Sequence, residues 1–416
     1  FGSSAQVCLR CHLPMKKLLG CGGVAILLLA WGLKTLADSF SPLDNAMSLL
    51  WLGGHYNAEV ADLRLSALAQ VYAQGITEPD GAAAMMTSVL GSPVTAPEAA
   101  SLMSLATTLG MMSTGMVHVH AGSSVWNLTS SAPAYSINSL DPCLCRADDG
   151  GLVLFYGSGQ YVTSHDGKTW SSPQNLVFRA TVHEGASKEN YPMATKLNGQ
   201  WYMASEGGSG LLLWRATDFP KEWEEVGLLA HMPKGARHPT LFESSDGHAL
   251  LFSANYAHEL EVFVSPLSEL STLPWRMHPS SPVAYGADRV AGAGNFFRDD
   301  DGQLFRPAQD ITIAYGRMAR AWKVVKVSGT EYVEATDYKD SRRLCGASGQ
   351  GFDKFGGHVT SIVPAGDGGF VGAFDGYGGE LTAAKLIGLL EGYLGKTMFR
   401  CATLLYGMRT LLGLVA

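Results

Sequence analysis

Charge is scarce in this chain. Of its 416 residues only 16% are Asp, Glu, Lys or Arg, and the net charge is −7. So little positive charge leaves no basic face to neutralise phosphates, which excludes a nucleic-acid partner. Long apolar runs are also missing. Behind Lys16 and Lys17 come sixteen uncharged residues, Leu18 to Leu33, short of the roughly 20 that a spanning helix needs. Cysteine is sparse, with seven in the whole chain. Cys8-x-x-Cys11-His12 looks like half of a haem or zinc site, but it precedes Met15 and has no second ligand pair at metal spacing, so neither a metal nor a cofactor is expected. Cys143 and Cys145 alternate with Leu144, which sends both thiols to one face of a strand as small core residues. A bridge from either to Cys345 stays open.

What is abundant is glycine, 49 residues, within a chain that is 46% hydrophobic. That combination favours many turns around a sizeable core over long helices. Residues 1–37 read as a leader. A basic start and an apolar segment, closed by the small residues after Thr35, describe a signal peptide or a type II membrane anchor. Either sends the remainder into the secretory pathway, as a membrane-held lumenal protein or a secreted one. The sequon Asn127-Leu128-Thr129 agrees with glycosylation on that side. Residues 38–120 are rich in Ala, Leu and Met at helical spacing and form a stalk or cap. Within them, Thr95 and Glu98 stand at capping-box spacing ahead of an apolar run that ends at Gly110.

From 125 to 377 the texture changes to short apolar strands behind tight turns. Asp149-Gly150, Asn198-Gly199, Asp246-Gly247, Asp301-Gly302 and Asp367-Gly368 each precede one, at intervals of 49, 48, 55 and 66 residues. Asn-Gly and Asp-Gly supply the positive φ of two-residue hairpins. A hairpin repeated about every 50 residues is the mark of propeller blades. The fold class expected is mainly β: a five-bladed β-propeller with an N-terminal helical region. Residues 380–416 add a C-terminal amphipathic helix. Its apolar stripe from Ala383 to Leu412 is broken by Lys385, Lys396, Arg400 and Arg409, so it packs on protein or lies on a membrane surface.

Seven to nine residues before the five turns stand Asp141-Pro142, Tyr191-Pro192, His238-Pro239, Ala293-Gly294 and His358-Val359. The innermost strand of a blade lines the central channel, so these openings should converge at one mouth. The second strand returns to the same face, which brings Glu206, Asp375 and the polar strand end Arg306, Gln309, Asp310 beside them. Asp141 and Glu206 form the candidate carboxylate pair. Tyr191, His238, Arg306, Gln309, Asp310, His358 and Asp375 are the candidate binding residues. Carboxylates, an amide, an arginine and rings together suit a sugar. A buried Arg306–Asp310 pair holding blades together is the structural alternative. Asp166, in another turn, and Asp299–Asp301, which imitate a nucleotide-sugar DxD motif within a hairpin, read as turn chemistry.

The stretches "YPMATKLNGQWYMASE", "LLLWRATDFPKEW", "HPTLFESSDGHALLFSA" and "DGQLFRPAQDITIAYG" resemble the N-terminal propeller domain of plant-type glucosamine inositolphosphorylceramide transferases, itself similar to the propellers of glycoside hydrolase family 43. The resemblance implies a Golgi membrane protein with a lumenal propeller that handles a glycan or a glycosphingolipid head group, beside a partner glycosyltransferase. By the same resemblance Asp141 matches a catalytic base and Glu206 an acid. His238 departs from it, since relatives carry Asp before that Pro-Thr-Leu-Phe. Gly157 also stands where relatives continue into an acidic residue. Three functions follow: a carbohydrate-binding or accessory propeller, a glycosidase-like hydrolase using Asp141 and Glu206, or a structural interaction scaffold.

Overall fold

The computed structural model describes residues 51–52, 55–56 and 64, and then 67–378 apart from 69, 72–73, 75, 77, 158, 180–189, 208–209, 229–234, 273–274, 349–350 and 367. The leader over 1–37 and the C-terminal helix expected over 380–416 lie outside the described residues. Residues 1–62 and 382–416 group as one compact unit, of which only a short hairpin, Trp51–Leu52 with His55–Tyr56, is described. Everything below concerns the other unit, Leu63–Leu381.

Two helices described from end to end precede the sheets. Ala96–Thr114 begins with the capping box: the Thr95 side chain accepts from the Glu98 amide, and the Glu98 carboxylate accepts from the Thr95 amide at 2.8 Å. The helix outruns the expected stop at Gly110, because only at Gly115 does the backbone turn extended. A second helix, Pro79–Leu90, closes on Gly91 in the left-handed conformation. The reading of the sequence named no helix there.

Five sheets follow, one per blade, antiparallel save for one edge strand of blade 2. Blade 1 comprises Cys143–Arg146, Leu152–Tyr156, Gln160–Ser164 and Gln174–Asn175. Blade 2 is built on Asn190–Leu197, Gln200–Gly207, Gly210–Asp218 and Glu222–Leu228, with Val177–Arg179 added in parallel at its outer edge. Blade 3 is built on Arg237–Glu243, His248–Ala254 and Glu259–Pro266, and blade 4 on Phe297–Arg298, Leu304–Asp310 and Met318–Val327. Blade 5 has a split origin. Its inner strands, Thr360–Pro364 and Phe370–Tyr377, come from the end of the propeller segment, and its outer strands, Gly115–Gly122 and Tyr135–Ile137, from the start. Pairing runs without a break from Phe370↔Gly122 to Tyr377↔Gly115. The propeller therefore begins ahead of the expected residue 125, and a ladder between distant parts of the chain closes the ring.

The core is divided among the seams between blades. Trp214 and Trp223 pack with Phe155 and Cys143 between blades 1 and 2, and Leu251 and Phe263 meet Leu213 between blades 2 and 3. Cys143 and Cys145 both face blade 2, with sulfurs 3.8 Å apart, whereas Cys345 belongs to the seam of blades 4 and 5. All three are free thiols, so the bridge left open by the sequence is not made. Each face of a blade buries an apolar surface against its neighbour, and burial at about 25 cal/mol per Å² is what holds the ring together.

Candidate functional site

Three of the five inner strands open with the same local device. Asp141, Tyr191 and His238 each precede a proline and hold positive φ, at 57°, 56° and 52°, while Gly294 ahead of Asn295 holds positive φ for blade 4 at 122°. Left-handed backbone at a non-glycine residue costs about 1–2 kcal/mol, and proline withholds a ladder donor. The pairing register of blades 2 and 3 shifts across these dipeptides, between Asn190 and Met193 and between Arg237 and Thr240. Such a bulge re-aims a side chain. It frees the first residue of each inner strand from the alternation of its own sheet.

The freed residues meet at the axis. The Tyr191 ring lies 5.4 Å from that of His238 at 72°, and its hydroxyl accepts from the Gly294 amide at 2.8 Å. The His238 amide donates to the Glu206 carboxylate. His238 Nε2 is 3.2 Å from the Tyr315 hydroxyl, and the Tyr315 ring stands 5.3 Å from His358. His358 Nε2 is 3.3 Å from Asp141 Oδ1, while its Nδ1 lies 2.8 Å from Asp375 Oδ2 and 2.6 Å from the Tyr377 hydroxyl. Asp375 also accepts from the amides of His358 (2.7 Å), Val359 (2.9 Å) and Asp141 (3.2 Å). Asp375, His358 and Tyr191 are buried, whereas the Asp141 side chain is 22% exposed and Tyr315 is 42% exposed. Those last two are what an entering molecule meets first.

Burial alone would strip the His358 imidazole of its proton, but Asp375 overrides it, aided by Asp141, and holds the ring protonated well above the ordinary histidine range. His238 goes the other way. Burial, with the His358 charge and Arg237 behind it, pushes it down to about 3, so it is neutral at physiological pH. Burial is the largest influence on Glu206 and Asp141 adds to it. Together they raise the carboxyl above its ordinary range against the opposing pull of the His238 amide and Arg237. The mouth thus holds a carboxyl raised above its ordinary range, a carboxylate paired with an imidazolium, a neutral histidine and the rings of Tyr191 and Tyr315.

Among the described residues, Asp141, His358 and Asp375 form the one three-ligand cluster, with ligand atoms within 4.8 Å of one another. The imidazolium contacts both carboxylates there and offsets one of their two negative charges, so a metal ion would have to displace its proton. A cavity of about 600 Å³ between Trp126, Phe352, Phe374 and Arg343 is lined by none of the axial residues.

The polar strand end of blade 4 is divided between its own connections and the axis. Arg306 is buried, but its partner is Glu334: Nε and Nη2 donate to the two carboxylate oxygens at 2.8 Å each, and the Tyr332 hydroxyl donates to the same group at 2.7 Å. Asp310 accepts from the Tyr338 hydroxyl at 2.9 Å and lies 3.7 Å from Arg317. Residues four apart on a strand share a face yet are separated by roughly 13 Å, so an Arg306–Asp310 pair is sterically out of reach. Gln309, on the other face, donates to the Gly292 carbonyl at 2.8 Å. Arg306 and Asp310 thus hold blade 4 to its own connections instead of pairing with each other, whereas Gln309 bonds a glycine that packs against His238 and Tyr191 at the axis. Asp299 and Asp300 are equally occupied, the first accepting from the Gln303 amide at 2.9 Å and the second from Ser124 Oγ at 2.6 Å. Asp166 caps its turn through the Thr169 and Lys168 amides, which lower it to about 2. The residues that the sequence reading missed are Tyr315, Tyr377 and Glu334. None stands at a repeated position relative to a turn.

The family described as "Glucosamine inositolphosphorylceramide transferase 1, N-terminal" matches residues 148–351. Curated relatives of the name glucosamine inositolphosphorylceramide transferase 1 include one from Oryza sativa subsp. japonica, 32% identical over 185 residues, covering 40% of this chain and 22% of the relative. Another, from Arabidopsis thaliana, is 28% identical over 221 residues, covering 50% and 27%. The chain therefore spans about a quarter of the length of the curated relatives it matches. Solved structures that align with it include an endo-arabinase from Bacteroides thetaiotaomicron VPI-5482, at 15% identity, 56% and 87% coverage and a TM-score of 0.39. An endo-1,4-beta-xylanase from the same organism aligns at 13%, 56%, 82% and 0.41. The family match takes in Tyr191, Glu206, His238 and Tyr315, and over residues 148–351 this chain is similar to the N-terminal part of glucosamine inositolphosphorylceramide transferase.

Proposed function

We propose that the propeller is a carbohydrate-binding module whose axial mouth receives a glycan, the head group of a glycosphingolipid in particular. The observation that carries this reading is the composition of the mouth. Tyr315 offers an exposed ring next to His238, while Asp141 and Glu206 offer carboxyl oxygens beside it. A sugar presents both an apolar ring face and hydroxyls, and such a mouth satisfies the two together. The relatives' name joins a sugar and an inositol-bearing ceramide, which is the class of ligand this reading brings to the present chain. A place in the lumen of the secretory pathway, held to the membrane by the N-terminal segment and working beside a glycosyltransferase, completes the proposal.

Binding is favoured over turnover because both candidate catalytic carboxyls are engaged in holding the axis, Asp141 by His358 and Glu206 by the His238 amide. The second reading, a glycosidase-like hydrolase, has one observation in its favour: Glu206 is raised as a general acid requires, partly by Asp141 itself. A glycan array probed with the full chain separates the two. Bound glycans that stay intact, with binding within about threefold in Asp141→Asn and Glu206→Gln, support the module. Release of sugar that Asp141→Asn abolishes while binding persists establishes the hydrolase instead.

A further inference from the structure

Arg237 opens blade 3 immediately before His238, whose amide donates to Glu206 at the axial mouth, and its charge is felt by both groups. Its guanidinium is unlike that of Arg306. Among the described residues it makes no hydrogen bond and no ion pair; Nε is buried without a partner, and the group lies 4.6 Å above the ring of Tyr256. Burying part of a cation without an anion is unfavourable unless something supplies the opposing charge. The surroundings hold the group in place all the same. Tyr256, 68% exposed, is packed against Gly235, where an added Cβ would fall 2.0 Å from the ring and where φ is +97°. Ser253 Oγ donates to the Arg237 carbonyl at 3.1 Å and fixes the start of the strand. A pre-positioned guanidinium with free donors fits a planar or tetrahedral oxyanion, to which it donates two parallel hydrogen bonds.

We infer that Arg237, stacked on Tyr256, is an anion subsite of the axial mouth, and that the glycan bound there carries a carboxylate or a phosphate. This rests on the proposed glycan-binding role of the mouth for its sugar part only; the anion site stands on Arg237 and Tyr256. The carboxylate of an acidic sugar and the phosphate of a head group share the chemistry that the guanidinium recognises.

Two measurements on the full chain test it. In the first, phenylglyoxal labelling of Arg237 is followed by peptide mass spectrometry in chloride, inorganic phosphate or glucuronate at equal ionic strength. Labelling of Arg237 several-fold slower in phosphate or glucuronate than in chloride is expected, and the better protector identifies the anion. Equal labelling in all three overturns the subsite. In the second, a glycan array compares acidic glycans with their neutral counterparts. The acidic members should bind about tenfold tighter, and Arg237→Gln should remove that margin while leaving neutral binding within about twofold. Arg237→Lys, which keeps the charge without the fork, should retain part of the margin; should Arg237→Gln not fold, this variant and the labelling decide. Loss of neutral and acidic binding alike in a folded Arg237→Gln protein overturns the inference, as does wild-type binding without an acidic margin, which leaves the glycan reading intact. Protection by phosphate in a protein that binds no glycan upholds the subsite and removes the glycan reading.

Discussion

Nε2 of His358 lies 3.3 Å from Oδ1 of Asp141, across the seam where the last blade meets the first. The two residues are more than two hundred positions apart, and each opens an inner strand. Their contact is the axial counterpart of the ladder between Gly115–Gly122 and Phe370–Tyr377 that closes the ring on the outside. Behind it, Asp375 ties both residues to one fully buried carboxylate.

Asp375→Asn should therefore be among the most damaging small changes in the protein. The asparagine amide would face donors where a carboxylate oxygen now accepts, and the His358 imidazolium would lose its principal counter-charge. Removing one partner of a buried pair costs about 3–5 kcal/mol. Urea denaturation should show a loss of that order. A variant within 1 kcal/mol of wild type would show that the axial network contributes little to closure.

The pH dependence of stability should have two limbs of opposite sign. His358 is raised in the fold, so the stability it contributes is fully present below the unfolded value of about 6.5 and is lost as pH rises through the raised folded value. His120 is lowered to about 4, by burial first and then by His118. Its contribution is present above about 6.5 and is lost as pH falls toward 4, on the order of 3 kcal/mol. Urea midpoints measured from pH 4 to pH 9 should trace both limbs. His120→Phe, which keeps a ring against Phe352 and Phe374, should make the acid limb shallower without abolishing it, since His238 and His118 are lowered as well; an unchanged acid limb would remove His120 as a source.

Arg306 and Glu334 should behave as a structural pair. Arg306→Met alone strands a buried carboxylate and should cost about 3–5 kcal/mol, whereas Arg306→Met with Glu334→Leu should recover most of that loss. Glycan binding by the double variant should match wild type, since neither group lies at the axis. A folded double variant without binding would return Arg306 to the site.

Asn127 is exposed on the 3-10 turn Val125–Ser130, free for modification if the chain enters the secretory pathway. Expressed with its N-terminal segment in eukaryotic cells, the protein should lose mass on treatment with an endoglycosidase, and Asn127→Gln should not. A wild-type protein of unmodified mass would count against the lumenal placement.

Much of the fold was legible because its signals are local. The Asp-Gly and Asn-Gly turns need positive φ whatever surrounds them, and their recurrence gives the blade count. The X-Pro dipeptides recur at the same offset, and so point to Asp141, Tyr191 and His238 as axial. The capping box of Thr95 and Glu98 is complete within four residues. The misreading of Arg306 and Asp310 has an equally plain source. Their polarity marks them as unusual for a strand, but polarity does not say toward which neighbour a strand's face is turned.

The sequence by itself thus determined the repeat, the hairpins and the residues that open each inner strand, because short-range sterics of glycine and proline set them. Only the tertiary structure decided which strands complete blade 5, that Glu334 rather than Asp310 answers Arg306, and that Tyr315 reaches the mouth. Those outcomes depend on the curvature of the closed ring, which brings residues from distant blades to a few ångströms of one axis. Ring closure also decides the charge state of the site. Burial makes His238 neutral, while the two carboxylates assembled around His358 keep it protonated, and no stretch of sequence holds both carboxylates beside that imidazole.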